Sequence, residues 1–265
     1  MEKSSRTLKL GVNIDHVATL RQARYAPMLN SPNAEPCVLA AAHEVEAAGA
    51  DSITVHLRLD RRHIQDRDVF ELKEKIHTKM NLEMGNTQEI LNIALKVKPE
   101  FVCLVPENRR EVTTEGGLNV FNADTSLNRT IDTLRDAGIR VSLFVDPEPK
   151  QIEAAAKTGA KMIELHTGAF ANADVIGGEK ELADLITAAK IGHEAGLQVN
   201  AGHGITVPNL VRLMQVPHMA ELNIGHHLVA RGLFSGVGNA VREMLSLMSS
   251  YDEIQCALSA ESSST

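Results

Sequence analysis

Residues 198–226, QVNAGHGITVPNLVRLMQVPHMAELNIGH, contain one complete building unit of the chain. Two apolar runs, QVNAGH and ELNIGH, each end on a glycine followed by a histidine. Between them Thr206 stands before Val207-Pro208, a helix start in which the hydroxyl caps and the proline fits the first turn. The reading is strand, helix, strand. Six similar runs precede it: LKLGVNID, SITVHL, KMNLEM, FVCLV, RVSLFVD and KMIELH. The eight runs end near Asp15, His56, Glu83, Val105, Asp146, His166, Gly202 and Gly225. That is 210 positions over seven steps, a mean of 30, the size of one strand–helix unit.

The segments between the runs carry helical periodicity. Val38, Ala41, Ala42 and Val45 fall at i, i+3, i+4 and i+7, as do Ile90, Ile93, Ala94 and Val97. Leu182, Leu185, Ile186 and Ala189 repeat the pattern, and so do Val237, Ala240, Val241 and Met244. Asn86 with Glu89 reads as a cap and its reciprocal partner. Gly49, Gly138, Gly159 and Gly196 each stand just before a strand, where a left-handed residue ends a helix. Eight strands with helical crossovers close into a barrel or lie open as a doubly wound sheet. No G-x-G-x-x-G follows the first strand, so the dinucleotide-binding sheet is the weaker reading. The expected fold is α/β, a single (β/α)8 TIM barrel over 1–265, with a long loop at 25–36 after the first strand. A second loop is expected at 106–120, a lid with Gly116-Gly117 as its hinge, and a disordered tail from about 255.

Composition agrees. The 265 residues are close to the roughly 250 that one such barrel uses. With 27 basic and 34 acidic residues the net charge is −7, which argues against a nucleic-acid partner. There is no Trp, and the core must be built from aliphatic residues, as in buried parallel strands. Three dispersed cysteines, Cys37, Cys103 and Cys256, with no C-x-x-C, point to a reducing compartment rather than to disulfides or a cysteine zinc site. Cys103, in mid-strand, reads as a small buried apolar residue. No window has the apolar length of a membrane span, and the charged start MEKSSRTLKL lacks a signal-peptide core, so a cytoplasmic protein with no membrane partner is expected.

In a barrel the chemistry sits at the C-terminal ends of the strands, and residues two apart share a face. Asn13 with Asp15, Thr54 with His56 and Arg58, Asn81 with Glu83, and Glu164 with His166 are such pairs, joined by Asn200 and Asn223. A polar layer satisfied within the barrel would explain any one of them; their clustering at one end favours a site. The loop Asp60-Arg61-Arg62-His63 is either a solvated charge run or a phosphate grip. Glu83 and Glu164 are candidate proton carriers, or else partners of Arg24 or Arg58 in ion pairs. Gly202-His203-Gly204 and Gly225-His226 suit an anion at the last two loops, where barrels often bind phosphate. His43, His77, His193 and His218 read as surface residues.

The strings GVNIDHVATLRQAR, GADSITVHLRLDRRHIQDRDV, NLEM, CLVPENRREVTTEGGL, VSLFVD, IELHTG, VNAGHG and ELNIGHHLVARG together resemble the pyridoxine 5′-phosphate synthase family, from Gly11 to about Gly232. The resemblance implies a (β/α)8 barrel with extra helices. It implies condensation of 3-amino-2-oxopropyl phosphate with 1-deoxy-D-xylulose 5-phosphate to pyridoxine 5′-phosphate, releasing phosphate and water. No metal or organic cofactor is implied. By motif, Asn13 and Arg24 would bind the aminoketone phosphate, and Asp15 and His16 the sugar phosphate. His56 and Glu83 would accept protons. Arg58 and His63, with Arg61 close by, and Thr113 would hold the sugar phosphate. Glu164 would stabilise a transition state and His203 would donate a proton. Gly204, Gly225 and His226 would complete the aminoketone site. A homo-oligomer, as a rule an octamer, is implied. The chain departs from the family in a longer 25–36 loop, in Phe170 where a tyrosine is expected, and in an extended tail past Ser249. Two other readings compete: a metal-dependent aldolase or lyase using Glu164, His166, His203 and His226, and a non-catalytic phosphate-binding scaffold.

Overall fold

A computed structural model of the chain describes residues 7–28, 30–107, 116–173 and 178–262. Eight parallel strands close into one barrel in sequence order, β1 pairing with both β2 and β8. They are β1 Lys9–Asn13, β2 Ser52–His56, β3 Lys79–Met84, β4 Phe101–Leu104, β5 Arg140–Val145, β6 Met162–His166, β7 Gln198–Gly202 and β8 Met219–Ile224. All eight expected runs are strands. Around them lie α1 Asp15–Tyr25, α2 Val38–Ala47, α3 Asp66–Lys75, α4 Gln88–Val97, α5 Thr125–Asp136 and α6 Pro149–Lys157. These are followed by α7 Gly168–Asn172, α8 Glu179–Glu194, α9 Val207–Leu213, α10 His226–Ser235, α11 Val237–Met248 and α12 Tyr251–Ser262. No helix among the described residues is long and apolar enough to cross a membrane.

The strands alternate between two environments. Residues such as Leu10, Val12, Ile53, Val55, Leu82, Leu104, Leu143, Ile163, Val199 and Leu222 point outward and form the main core with the helices. The other parity points into the barrel and is mostly polar. Ser52 donates to Glu221 at 2.8 Å, Thr54 to Asn223 at 3.1 Å, and Asn81 to Thr54 at 3.3 Å. Each bond supplies a partner that a buried polar group requires. Gly11 leaves room for this network: a Cβ there would lie 2.2 Å from Asn223 Oδ1.

Helix ends follow local chemistry in most places. Thr206 caps α9 in a reciprocal box with Asn209, and Gly49, Gly138, Gly159 and Gly196 all have φ between +77° and +105°. Three expectations are corrected. α1 starts directly after β1, so the loop around 25–36 follows a helix rather than the strand. α4 is capped by Thr87, whose side chain accepts from Ile90 N–H. Asn86 is instead taken by α5, through Ser126 at 3.1 Å and Thr130 at 2.7 Å. The tail beyond 255 is helical to Ser262, because α12 is anchored: Tyr251 donates to Val216 O and Gln255 to Met214 O. Most of the expected lid at 106–120 lies outside the described residues.

One buried ion pair fixes the β1 and β2 crossovers to each other. Arg21 of α1 grips Asp68 of α3 through two 2.7 Å bonds, both side chains about 95% buried. The same guanidinium donates to His63 O, and Asp68 accepts from Gln65 N–H at the start of α3. Asp68→Ala leaves a buried cation uncompensated and is expected to lower the unfolding free energy by about 3–5 kcal/mol. Denaturant titration measures this, and a loss below about 1 kcal/mol would show that the pair does not hold the two crossovers together.

Candidate active site

A cavity of about 560 Å³ opens at the C-terminal ends of the strands. Asn13, Asp15, His16, His56, Arg58, His63, Glu83, Glu164, His203, Gly204, Gly225 and His226 line it. The sequence expectation therefore converges on one mouth, with three differences. Arg24 lies on the exposed outer side of α1 and is not among the lining residues. Arg61 points away: its backbone turns left-handed at φ +51°, and its guanidinium bonds Asp66 and Glu89, each at 2.6 Å. Arg62 lines the cavity in its place, paired with Asp60. Thr113 lies outside the described residues.

The first two strand ends lock together through Asp15. Its Oδ1 accepts the His56 backbone N–H at 2.8 Å and its Oδ2 accepts from Asn13 Nδ2 at 2.9 Å. His56 then faces two carboxylates. Its Nδ1 lies 3.9 Å from Glu83 Oε2, and its Nε2 lies 3.0 Å from Glu107 Oε1. His63 Nδ1 accepts from Ile64 N–H at 2.8 Å, so its Nε2 carries the proton. Burial holds the His63 pKa down, keeping that ring neutral. Asp60 sits between Arg58 and Arg62, 3.6 Å from the first and 2.6 Å from the second. Two guanidiniums and a neutral N–H donor in one loop can grip a phosphate.

Across the mouth burial raises the proton affinity of the carboxyls. Glu164 accepts from Asn223 at 2.7 Å and lies 3.9 Å from the Cys103 thiol. Burial, with the charge of Glu221, raises its pKa to about 8 against the pull of the Asn223 bond. Glu83 is pushed well up by burial and then by the charges of Glu164 and Asp15. A carboxyl tuned upward is a stronger base once it loses its proton. Cys103 is more than apolar filler, since it touches Glu164; burial and the same carboxylates push its thiol well up. No arginine ion pair with Glu83 or Glu164 occurs among the described residues.

His203 takes φ +81°, the left-handed region that a non-glycine residue enters only under constraint. Thr167 supplies the constraint. Its hydroxyl bonds His203 O, and Gly202 O accepts both from that hydroxyl at 2.8 Å and from Thr167 N–H. The imidazole thus comes within 5.0 Å of the His166 ring, which is bonded to Asp146 at 3.0 Å. Gly202 opens space beside it: a Cβ there would stand 2.1 Å from Glu164 Oε1.

The four residues of the rival metal reading, Glu164, His166, His203 and His226, do not form a group of close ligand atoms. Among the described residues two other groups bring ligand atoms within 4.8 Å of one another, Asp15–His56–Glu83 and His43–Glu46–His77. The second lies outside the cavity and is structural, since Glu46 accepts from Thr78 and His43 bonds Lys75 O. Glu107, Thr19 and Phe144 were not expected at the site, and Arg62 was expected only as part of the Asp60–His63 loop. For Glu107 the available signal was its place directly after Pro106 at the end of a strand.

The raised Glu164 pKa sets a pH dependence. The folded protein keeps this proton up to about pH 8, whereas the unfolded chain releases it near the ordinary 4.5. Its contribution to stability is full below pH 4.5 and is lost as pH rises through 8. Glu164→Gln is therefore expected to gain stability relative to the parent as pH rises across this window. Urea unfolding at several pH values tests it; a constant difference would mean that Glu164 does not carry the buried proton.

The family model described as Pyridoxal phosphate biosynthesis protein PdxJ matches residues 10–250. A pyridoxine 5′-phosphate synthase from Akkermansia muciniphila is 56% identical over 236 residues, 89% of this chain and 96% of that protein. One from Thioalkalivibrio sulfidiphilus is 51% identical over 243 residues, 91% and 96% of the two chains. Among solved structures, orotidine 5′-monophosphate decarboxylase from Methanocaldococcus jannaschii superposes with a TM-score of 0.61 at 13% identity, covering 91% of this chain and 99% of that one, a likeness of fold alone. With a barrel whose mouth gathers the NLEM, IELH and AGHG residues and a match over most of its length, the chain belongs to the pyridoxal phosphate biosynthesis protein PdxJ family.

Proposed function

We propose that this mouth condenses 3-amino-2-oxopropyl phosphate with 1-deoxy-D-xylulose 5-phosphate and closes the ring to pyridoxine 5′-phosphate, releasing phosphate and water. The chain is a vitamin B6 biosynthetic enzyme, a synthase, by its family and its relatives. One observation carries the assignment of residues: His56, Glu83, Glu164 and His203 line a single cavity together with two cationic groups and two glycine-marked loops.

The chemistry needs that combination. The amine and ketone lose water to form an imine. Removal of carbon-bound protons, loss of phosphate, ring closure and a final dehydration follow. Both reactants must be anchored while protons move in turn. Arg58 and His63, with Arg62 beside them and Thr113, hold the sugar phosphate, and Asp15 and His16 bind the rest of that substrate. Asn13, Gly204, Gly225 and His226 receive the aminoketone phosphate, where α10 begins and its amides favour an anion. Arg24, exposed on α1, belongs to this second set only by motif. His56 and Glu83 accept protons, His203 donates one, and Glu164, protonated near neutral pH, stabilises developing charge. The reaction needs neither metal nor organic cofactor in this reading. The reading extends to a cytoplasmic homo-oligomer, an octamer by family likeness. Leu233 and Phe234, 66% and 94% exposed side by side on α10, support association.

Incubation with both phosphorylated substrates, followed by the absorbance of the pyridoxine ring, tests the assignment. His203→Ala and Glu83→Gln are each expected to lower turnover by about 10²–10⁴-fold with the fold intact by circular dichroism. Near-parental turnover in either variant would remove that residue from the proton path. Turnover is expected to withstand a chelator, and its loss on metal stripping would favour the aldolase reading.

A further inference from the structure

We infer that Glu107 is a positioning residue which fixes the tautomer and orientation of His56, so that Nδ1 is the atom that takes the substrate proton. The inference rests on the reading of His56 as a proton acceptor. Glu107 follows β4 and reaches back across the mouth. Its Oε1 meets His56 Nε2 at 3.0 Å and accepts Gly85 N–H at 3.1 Å, and its Oε2 accepts Leu59 N–H at 3.1 Å. These bonds tie the carboxylate to the chain just beyond β2 and β3. Burial pushes its pKa up, but the His56 bond and the two amides outweigh this and hold it below the ordinary value. It is an acceptor on every side, so the ring nitrogen facing it must carry hydrogen.

The imidazole is held from its other end as well, because its backbone N–H is bonded to Asp15. With Nε2–H on Glu107, Nδ1 keeps a lone pair and lies on the Glu83 side, 3.9 Å from Oε2, within the cavity. In the proton-transfer step the substrate C–H bond breaks, its electron pair stays on the substrate, and the proton goes to Nδ1. The imidazolium so formed lies against the Glu107 anion. The charged and titratable groups around the ring are Glu83, Glu107, Asp15 and His63, whose ring is 6.2 Å away; the charge of Arg58 acts on His63 and that of Arg62 on Glu107. A carboxylate that orients a histidine in this way acts through that histidine and does not touch substrate.

Glu107→Gln removes the charge and puts an amide N–H2 against either His56 Nε2 or Leu59 N–H. The expected result is a kcat about 10- to 100-fold lower with KM for both substrates little changed. The acidic limb of the kcat–pH profile should move to lower pH, because the imidazolium loses its counter-charge. In a His56→Ala background the same change should have no further effect on kcat. Nitrogen-15 NMR of the histidine rings supplies a readout independent of turnover. In the parent protein His56 is expected as the Nε2–H tautomer, and in Glu107→Gln as a mixture or the Nδ1–H form. A parent His56 protonated on Nδ1, or a Glu107→Gln protein with parental kcat, pH profile and tautomer, overturns the inference while leaving the functional reading intact. A parent protein that makes no pyridoxine ring overturns the functional reading, and the tautomer measurement then decides the dyad by itself.

Discussion

Everything at the barrel mouth depends on keeping carboxyl groups out of water and close together. Glu164 is enclosed by the closed sheet with Glu83 partly buried at its mouth, and Glu221 is buried among the inward residues of β8. Burial penalises their ionised forms, and each raises the proton affinity of the next. The closed sheet makes this durable, because an open sheet would admit solvent between the strands and screen the repulsion. Asn223, Ser52 and Cys103 supply contacts that do not neutralise these groups. The result is a set of carboxyls that hold their protons more tightly than free ones, facing a loop that carries two arginines.

The fold could be read from the chain because most strands state themselves twice, once as an aliphatic run and once as the polar residue or glycine that ends it. Four of the helices were legible by periodicity and four helix ends by glycine. The site was legible to the same degree, since strand ends fix which side chains meet. The failures have physical causes. Arg61 and Arg62 are chemically equal neighbours, and only a left-handed turn at Arg61 decides which faces the cavity. Non-glycine residues give no advance notice of such turns. Asn86 and Thr87 are both good caps, and the choice was made by α5, which claims the asparagine. Glu107 lies at a strand end, but its partners come from two other strand–helix connections. Its role depends on tertiary geometry that local pattern does not contain.

Glycine has an unusual part in this barrel. At Gly11 and Gly202 the strands omit a side chain inside the barrel rather than at a turn. In the first case the vacated space holds Asn223, Ser52 and Glu221; in the second it holds the Glu164 carboxyl. A methyl group at either place would collide with the polar network that sets the proton affinities. These positions link backbone composition directly to site electrostatics.

The seam where β1 meets β8 has a consequence for biosynthesis. Asn13 stands on the first strand and Asn223, the partner of Glu164, on the last. A nascent chain halted before residue 223 would hold His56, Glu83 and Glu164 but not the amide that bonds Glu164. The candidate site therefore forms only once β8 has been made and has closed on β1, and products cut short before β8 are expected to be inert rather than partly competent.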